Sequence, residues 1–354
     1  MLVRERRLDR SDAGDSLGRR GSEIQGAAHV QVLVEVERSG FVESRHFGVA
    51  VVVDADGAPL ATVGDPDEPV YLRSSAKPFQ ALAVRGLGVE AGLSLDEVAL
   101  AGACGSHQGE AAHVASVRIV LAAAGLDESA LRCPPSLPGS REARTRVSEP
   151  ASVYHNCSGK HAYMLAGSVV RGWETGRYTA PEHPLQALVT ETLADFAGAR
   201  IEHVGVDGCG VPVHAMPLRG LALAYARLGA LAARGEDGPA ALVAAVRRHP
   251  QMICGTGQLD TVMLQATGGR VLSKVGAEAV YGAVDLERNH GLALKVLDGS
   301  PRARGAALLA VVQALGWLGE RELEAVLPAA VSEVRGGGRP VGAVRPAKVV
   351  LTQG

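Results

Sequence analysis

The chain has 354 residues, which favours about two folded domains. Hydrophobic residues make up 47% of the sequence and charged residues 21%, a balance that predicts a soluble globular protein and excludes disorder over most of the chain. The net charge of −2 and the aromatic share of 3% disfavour a nucleic-acid surface, and no apolar run is long enough to predict a membrane span.

The cysteines and the first residues bear on where the protein works. The five cysteines are an odd number spread between residues 104 and 254, which is not the pattern of a disulfide framework. Free thiols indicate a reducing compartment. Residues 1–27 mix arginine with acidic residues and lack the apolar core of an export signal. We therefore expect a disordered leader and a cytoplasmic location.

Apolar patterns predict the elements of the fold in chain order. Strands are predicted at 29–38, 48–53 and 60–63, with a tight turn at Asp56–Gly57 between the last two. Helical segments are predicted at 74–83, over 91–125 with a break at 103–109, and, after a loop over 134–149, at 162–171, 185–197 and 219–248. The remaining predicted elements are strands at 201–206, 271–285, 290–297 and 347–352 and an amphipathic helix at 301–318.

This order of elements predicts the fold class. Strands at both ends of the chain with helices between them are typical of a discontinuous α/β (α+β) sheet domain that encloses an inserted, mostly helical domain. We place the sheet domain at 28–73 plus 270–354 and the helical domain at 74–269.

Lysine is rare in this chain, since only five of the 36 basic residues are lysines. Chemistry that needs a neutral amine must use lysine, because arginine keeps its charge. Lys77 follows Ser74 by three residues at the start of a predicted helix, so the hydroxyl and the amine are expected on one helical face. A neutral Lys77 would take the proton of Ser74 and make it a nucleophile. The alternative is an ordinary helix-capping serine beside a solvated lysine.

Two later segments extend this pattern. Ser106 lies in a glycine-punctuated stretch between helical segments, and Lys274 lies at the start of a late strand. The order Ser-x-x-Lys, Ser-x-Gln, Lys-x-Gly is similar to the motif set of serine β-lactamases and penicillin-binding proteins. Gln108 and Val275 depart from that set, which has asparagine and a hydroxyl residue at these places. The segments together favour a Ser/Lys acyl-transfer site, with a locally capped turn as the alternative for Ser106.

Lys160 lies in a segment with metal-binding character. Cys157 precedes it by three residues, and Cys209 follows later in an Asp-Gly-Cys-Gly sequence. Two thiolates, a nitrogen ligand and a water suit tetrahedral Zn²⁺. Lysine is an unusual ligand because it must first lose its proton, and histidines such as His161 are more ordinary donors. From the residues alone, two buried free thiols remain the alternative.

Together these segments resemble the Rhizobium etli-type L-asparaginases, the asparaginase II family of bacterial proteins. The matching stretches are RSSAKPFQAL (73–82), AGACGSHQGE (101–110), YHNCSGKHAYML (154–165), GVDGCGVP (205–212) and SKVGAEAVYG (273–282). The resemblance extends over residues 28–352. It implies a fold similar to penicillin-binding proteins and serine β-lactamases, with the active site between the two domains.

The resemblance also implies roles for individual residues. The implied catalytic pairs are Ser74 with Lys77 and Ser106 with Lys274. The implied ligands of a zinc ion are Cys157, Lys160 and Cys209, which replaces the interpretation of the cysteines as buried thiols. The residues implied near the substrate are Arg73, His161 and Asp207, of which the arginine would bind a carboxylate.

The implied activity is hydrolysis of the side-chain amide of L-asparagine to L-aspartate and ammonia through an acyl-enzyme. Ser74 attacks, a neutral Lys77 accepts its proton, and Ser106 relays a proton to the leaving ammonia, although exchanging the two serines fits the sequence equally well. Zn²⁺ is expected to position the substrate, and the resemblance alone implies a homodimer. The alternatives are a glutaminase, a β-lactamase-like or peptidoglycan hydrolase, and a non-catalytic zinc-thiolate protein.

Overall fold

The computed structural model describes residues 30–353 of the chain. The leader that the sequence predicts over 1–27 lies outside these residues. The strands are β1 (Gln31–Arg38), β2 (Phe41–Val53), β3 (Pro59–Val63), β4 (Pro69–Tyr71), β5 (His203–Val206), β6 (Pro212–Pro217), β7 (Val271–Gly276), β8 (Val280–Asp285), β9 (His290–Val296), β10 (Ser332–Gly336), β11 (Arg339–Pro346) and β12 (Thr352–Gln353).

Residues 30–353 form thirteen α-helices, of which the first eleven lie between β4 and β7 and the last two follow β9. They are α1 (Lys77–Arg85), α2 (Val89–Leu93), α3 (Glu97–Ala103), α4 (Ala111–Ala123), α5 (Arg141–Arg144), α6 (Ser158–Val170), α7 (Pro184–Ala197), α8 (Leu218–Ala233), α9 (Asp237–Arg248), α10 (Gln251–Cys254), α11 (Leu259–Ala266), α12 (Arg304–Ala314) and α13 (Glu320–Ala330). Within residues 30–353, none of these helices is long and apolar enough to cross a membrane.

The main sheet is antiparallel and is built from both ends of the described chain. Its strands follow the order β10-β11-β1-β2-β9-β8-β7, and β3 pairs with both β2 and β12. The long strand β2 pairs with β1 through its first half and with β3 through its second half, while β9 lies on its other side. The predicted fold class, an α/β protein with a discontinuous sheet and helices inserted between its two parts, is confirmed.

Helices cover both faces of this sheet, so strand β8 is buried at every position. On one face, Gly282 and Gly291 let α8 approach closely: a Cβ at these positions would lie 2.0 Å from the Tyr225 ring and 1.9 Å from the Ala222 carbonyl oxygen. On the other face, Tyr281 lines a small cavity together with the start of α12. Lys274 pairs with Gly282 and therefore points to the face that α8 covers, toward the helical part of the chain.

A second, three-stranded sheet joins the two predicted domains. Its order is β4-β6-β5, with both pairs antiparallel. By its position in the chain β4 belongs to the predicted sheet domain, whereas β5 and β6 belong to the predicted helical domain. The domain boundaries at 73/74 and 269/270 stay a prediction. The small sheet pairs a strand of the predicted sheet domain with strands of the predicted helical domain, and β4 lies directly before the segment that contains Ser74.

Candidate active site

Four segments converge where the two parts of the fold meet. A short 3₁₀ helix, Arg73–Ala76, leads from β4 into α1, and the end of β7 packs against it: a Cβ on Gly276 would lie 2.9 Å from the Leu72 carbonyl oxygen. The other two segments are the turn between α3 and α4, which carries Ser106, and the turn that begins α6. Gly105 makes the turn between α3 and α4 possible. A Cβ at this position would lie 2.3 Å from the backbone oxygen of Met252, which is too close for any residue with a side chain.

Lys77 is at the centre of the site, with 1% of its surface exposed. Its Nζ donates to the Gly105 carbonyl oxygen at 2.5 Å, to Ser106 Oγ at 3.0 Å and to the Asn156 carbonyl oxygen at 3.3 Å. These three acceptors match the three donors of an ammonium. In the neutral amine one donor is replaced by a lone pair, and of the three partners only the hydroxyl of Ser106 has a proton to donate to it.

The spacing of Ser74 and Lys77 predicts a hydrogen bond between them, but none is present among the contacts of residues 30–353. Lys77 is hydrogen-bonded to Ser106 instead. Ser74 is half-buried, whereas Ser106 is buried and its backbone N–H donates to the Ile253 carbonyl oxygen at 2.8 Å. The Ser74 hydroxyl is thus the more accessible of the two, and the Ser106 hydroxyl is the one already fixed against the amine.

Arg73 precedes the accessible serine and is held by Asp207. Its Nε and Nη2 both lie 2.9 Å from Asp207 Oδ1, which also accepts the N–H of Gly208 at 2.8 Å. Burial opposes the charge of Asp207, but the positive charges of Lys160 and Arg73 lower its pKa overall. Arg73 has φ = 51°, in the left-handed region that non-glycine residues avoid. Such strain is concentrated at functional sites.

Lys274 is completely buried on β7. Its Nζ donates to the Val275 carbonyl oxygen at 2.8 Å and lies 4.0 Å from Asp260 Oδ2. Burial lowers the pKa of Lys274 to about 8; Asp260 opposes this shift and Lys77 adds to it. The predicted contact of Lys274 with Ser106 is not among the hydrogen bonds of the described residues.

The predicted zinc ligands form a separate buried cluster. Lys160 Nζ lies 3.3 Å from Cys209 Sγ, and Cys157 Sγ donates to Asn156 Oδ1 at 3.2 Å. A hydrogen bond with Cys209 lowers the pKa of Cys157 well below its usual value. Burial disfavours the Lys160 ammonium, but the two sulfurs raise its pKa overall. Lys160 therefore keeps its ammonium charge beside the two sulfurs, and Asn156 connects the cluster to Lys77.

The donor set fits a tetrahedral zinc ion. Ligands at about 2.3 Å (S) and 2.1 Å (N) from tetrahedral zinc are roughly 3.6 Å apart, close to the observed N–S separation. His161 is fully buried beside Cys209, and its Nε2 has no hydrogen-bond partner among the described residues, although its Nδ1 lies 2.6 Å from the Tyr178 hydroxyl. Within residues 30–353 no three His, Cys, Asp or Glu residues are arranged to hold a metal, so such a site depends on the lysine.

A buried histidine next to this region gives a pH-dependent stability. His214 on β6 has 1% of its surface exposed, and burial lowers its pKa to about 4. Below the ordinary histidine pKa of ~6.5, the unfolded chain binds a proton that the folded chain does not. Lowering the pH from 7.5 to 5 is therefore expected to reduce the free energy of unfolding by about 2 kcal/mol through this residue.

Denaturant unfolding at the two pH values measures this effect. The His214→Gln variant, which cannot be protonated, should lose about 2 kcal/mol less than the wild type between pH 7.5 and 5. The matched control is His203→Gln on β5, where the side chain is exposed. Equal pH dependence in both variants would contradict the assignment.

The structure brings the predicted residues into two adjoining groups. The first contains Ser74, Lys77, Ser106 and Lys274 with Arg73 and Asp207 at its edge, and the second contains Cys157, Lys160, Cys209 and His161. Sequence reasoning missed Asn156, Tyr178 and Asp260. Asn156 lies within the quoted segment 154–165, which was a usable signal, whereas Tyr178 and Asp260 have no quoted motif around them.

Comparisons with known proteins identify related chains. The model of the L-asparaginase II family matches residues 34–346. No curated protein matches the sequence significantly. Among solved structures, a β-lactamase from Mycobacterium bovis is 16% identical, with 72% of this chain and 88% of that chain covered and a TM-score of 0.33. A putative β-lactamase from Bacteroides dorei is 15% identical, with 75% and 93% covered and a TM-score of 0.39. At such TM-scores we base no conclusion on these two likenesses.

Proposed function

Because the chain belongs to the L-asparaginase II family, we propose that it hydrolyses the side-chain amide of L-asparagine to L-aspartate and ammonia through an acyl-enzyme. Family membership supports an enzyme that acts on amides. The observation that carries the finer proposal is the buried amine of Lys77, 3.0 Å from the hydroxyl of Ser106 and three residues after the half-buried Ser74. An amine in contact with a hydroxyl is the arrangement that nucleophilic catalysis needs.

The Arg73–Asp207 pair supports an α-amino acid as the substrate. A guanidinium binds a carboxylate in a bidentate manner, and a carboxylate binds an ammonium. A zwitterionic amino acid supplies both partners, so it would replace one internal ion pair with two intermolecular ones. Arg73 directly precedes Ser74, which supports a bound asparagine whose side-chain amide is within reach of that serine.

In the proposed reaction, Ser74 Oγ attacks the amide carbon and its proton passes to neutral Lys77. When the tetrahedral intermediate collapses and the carbon–nitrogen bond breaks, Lys77 returns this proton through Ser106 Oγ to the leaving ammonia. Water then attacks the ester and gives a proton to Lys77, which returns it to Ser74 Oγ as the carbon–oxygen bond of the ester breaks and aspartate is released. Repulsion between the two buried lysines favours the state in which only one of them is charged, and the proposed reaction requires that this one is Lys274, which lies beside the Asp260 carboxylate.

The direct test is ammonia release from L-asparagine and L-glutamine, together with ring opening of a β-lactam, by the purified protein. We expect turnover of asparagine above that of glutamine, since one methylene is worth ~1–3 kcal/mol of discrimination. Faster glutamine turnover would make the protein a glutaminase. Hydrolysis of the β-lactam alone would make it a β-lactamase-like enzyme, and zinc binding without any hydrolysis would make it a non-catalytic metal protein.

We also propose that Cys157, Lys160 and Cys209 bind Zn²⁺. A bound zinc ion would supply a fixed positive charge that helps to orient the substrate. The chain's own residues hold the donors in place, since Asn156 accepts from Cys157 and its backbone oxygen accepts from Lys77. His161, kept neutral because burial lowers its pKa to about 4, lies beside them.

Replacing Cys209 with alanine is expected to remove the bound metal and the stability that it provides. A ligand at 100 times its Kd stabilises the folded state by about 2.7 kcal/mol. Metal content by mass spectrometry and unfolding with zinc or with a chelator measure both effects. Cys254→Ala, which removes another buried thiol, is the control and should retain the metal. Equal zinc content in the two variants would refute the site.

A homodimer is the proposed assembly. The edge strand β5 of the small sheet exposes Val204 (42%) and Val206 (77%), an apolar surface that a second copy would cover. Light scattering should give the mass of two chains. The mass of one chain would contradict this proposal.

A further inference from the structure

Asp260 is a buried carboxylate in the site that the proposed reaction does not use. It lies in the first turn of α11, with 1% of its surface exposed. Its Oδ1 accepts a hydrogen bond from Ser273 Oγ at 2.8 Å, and its Oδ2 accepts one from the backbone N–H of Val275 at 2.9 Å. The residue between these two donors is Lys274, whose Nζ lies 4.0 Å from Oδ2.

We propose that Asp260 is the positioning residue and the counter-charge of Lys274. Its carboxylate fixes β7 on both sides of the lysine and keeps the ammonium charge inside the site. The inference rests on the proposed function only for the role of Lys274 as the second lysine of the reaction.

The hydrogen bonds of Asp260 support the positioning role. Both of its oxygens are used by the neighbours of Lys274, so the carboxylate fixes the strand at this point rather than holding the amine directly. At 4.0 Å the Nζ is not hydrogen-bonded to Asp260, and its one hydrogen bond within residues 30–353 goes to the Val275 carbonyl oxygen. Two of its N–H groups are therefore available to the active site.

The burial of both groups supports the role as counter-charge. The side chains of Asp260 and Lys274 are both fully buried, and a buried charge is stable only with a partner of opposite sign. Burial raises the pKa of Asp260 overall, and Lys274 and the two hydrogen bonds oppose this shift and favour the charged carboxylate. In the other direction, Asp260 is the strongest influence that keeps Lys274 charged against burial.

Other charged and titratable groups surround the pair. Those that act on Lys274 are Lys77, Cys104, Cys157 and Cys254. Those that act on Asp260 are Arg304, Tyr225 and Tyr281. Lys77 is a cation that opposes the charge of Lys274, and burial raises the pKa of the Cys104 and Cys254 thiols, which keeps them neutral. Cys157 also favours the charge of Lys274, but Asp260 does so more strongly and is the carboxylate that balances it.

The test uses the small number of lysines. With ¹³C in the lysine ε-carbons, the protein gives five resonances, and a Lys274→Arg variant identifies the one of Lys274. In Asp260→Asn, which keeps the size and loses the charge, we expect the titration midpoint of Lys274 to fall by about one pH unit or more. In the control Ser273→Ala, which loses a hydrogen bond and keeps the charge, the midpoint should stay at its wild-type value.

The pH profile of kcat gives a second measurement. The inflection of this profile that reflects the ionisation of Lys274 should move to lower pH in Asp260→Asn and should stay at its wild-type pH in Ser273→Ala. A folded Asp260→Asn protein with an unchanged Lys274 midpoint would overturn the proposal, as would an equal shift in both variants, because a purely structural role affects both alike.

If Asp260→Asn does not fold, the wild type decides the question. The ¹³Cγ resonance of Asp260 should show an ionised carboxylate at pH 7, and a protonated carboxyl group would overturn the proposal. These NMR measurements need no turnover. Failure of the proposed function, seen as no ammonia release by the wild type, is therefore distinguishable from failure of the Asp260 assignment.

Discussion

Replacing Lys77 with methionine is expected to lower kcat for asparagine hydrolysis by ~10²–10⁴-fold, the range that a positioned proton-transfer group contributes. Methionine is of similar length and suits the buried position, but its thioether is not basic enough to accept the proton of Ser74 and therefore has no proton to return through Ser106. The substrate contacts of Arg73 and Asp207 are unchanged, so KM should change little. Steady-state kinetics of ammonia release measure both constants.

The variant also leaves the carbonyl oxygens of Gly105 and Asn156 without their donor, which costs about 1–3 kcal/mol each. Thermal unfolding must therefore show that the variant is folded at the assay temperature. Lys348→Met is the matched control, because Lys348 is exposed and far from the site in the fold. A Lys77→Met enzyme within tenfold of wild-type kcat would exclude Lys77 as the base.

Replacing Ser74 with alanine is expected to lower kcat by ~10⁴-fold or more, because loss of a nucleophile removes the covalent route entirely. Ser75→Ala is the matched control. Ser75 is fully buried and its hydroxyl donates to the Leu72 carbonyl oxygen at 2.5 Å, so this variant should lose about 1 kcal/mol of stability and keep its turnover.

Ser106→Ala completes the comparison of hydroxyl groups. It should slow the reaction through loss of the proton relay, with less effect than Ser74→Ala. If Ser74→Ala instead keeps near-normal turnover while Ser106→Ala loses it, the roles of the two serines are exchanged. The 3.0 Å contact of Ser106 with Lys77 would then be the nucleophile–base pair itself.

Local sequence patterns account for much of the fold. The alternation that predicts a strand at 29–38 corresponds to β1, and the predicted break at 103–109 falls between α3 and α4. Elements without such a pattern were missed. Strand β6 is buried at five of its six positions and so shows no alternation, and α13 contains Pro328. The Ala-rich stretch 219–248 forms two helices, α8 and α9, because the chain turns at Gly235, where φ is 77°.

The site shows a different division between what sequence can and cannot predict. Motifs predict which side chains are chemically important, since Ser-x-x-Lys and Cys-x-x-Lys are local spacings. They do not predict the contacts of Lys77, because two of its three partners are backbone carbonyl oxygens, which every residue has. Asp260 lies 14 residues before Lys274, and only the packing of α11 against β7 brings the two together.

The most direct test of the proposed mechanism is rapid acid quenching of a single turnover of L-asparagine by excess enzyme, followed by peptide mass spectrometry. The mechanism predicts an aspartyl ester on the peptide that contains Ser74, which rises and then decays as free aspartate forms. An ester on the Ser106 peptide, or aspartate formed at the full rate with no ester on any peptide at any quench time, would contradict it.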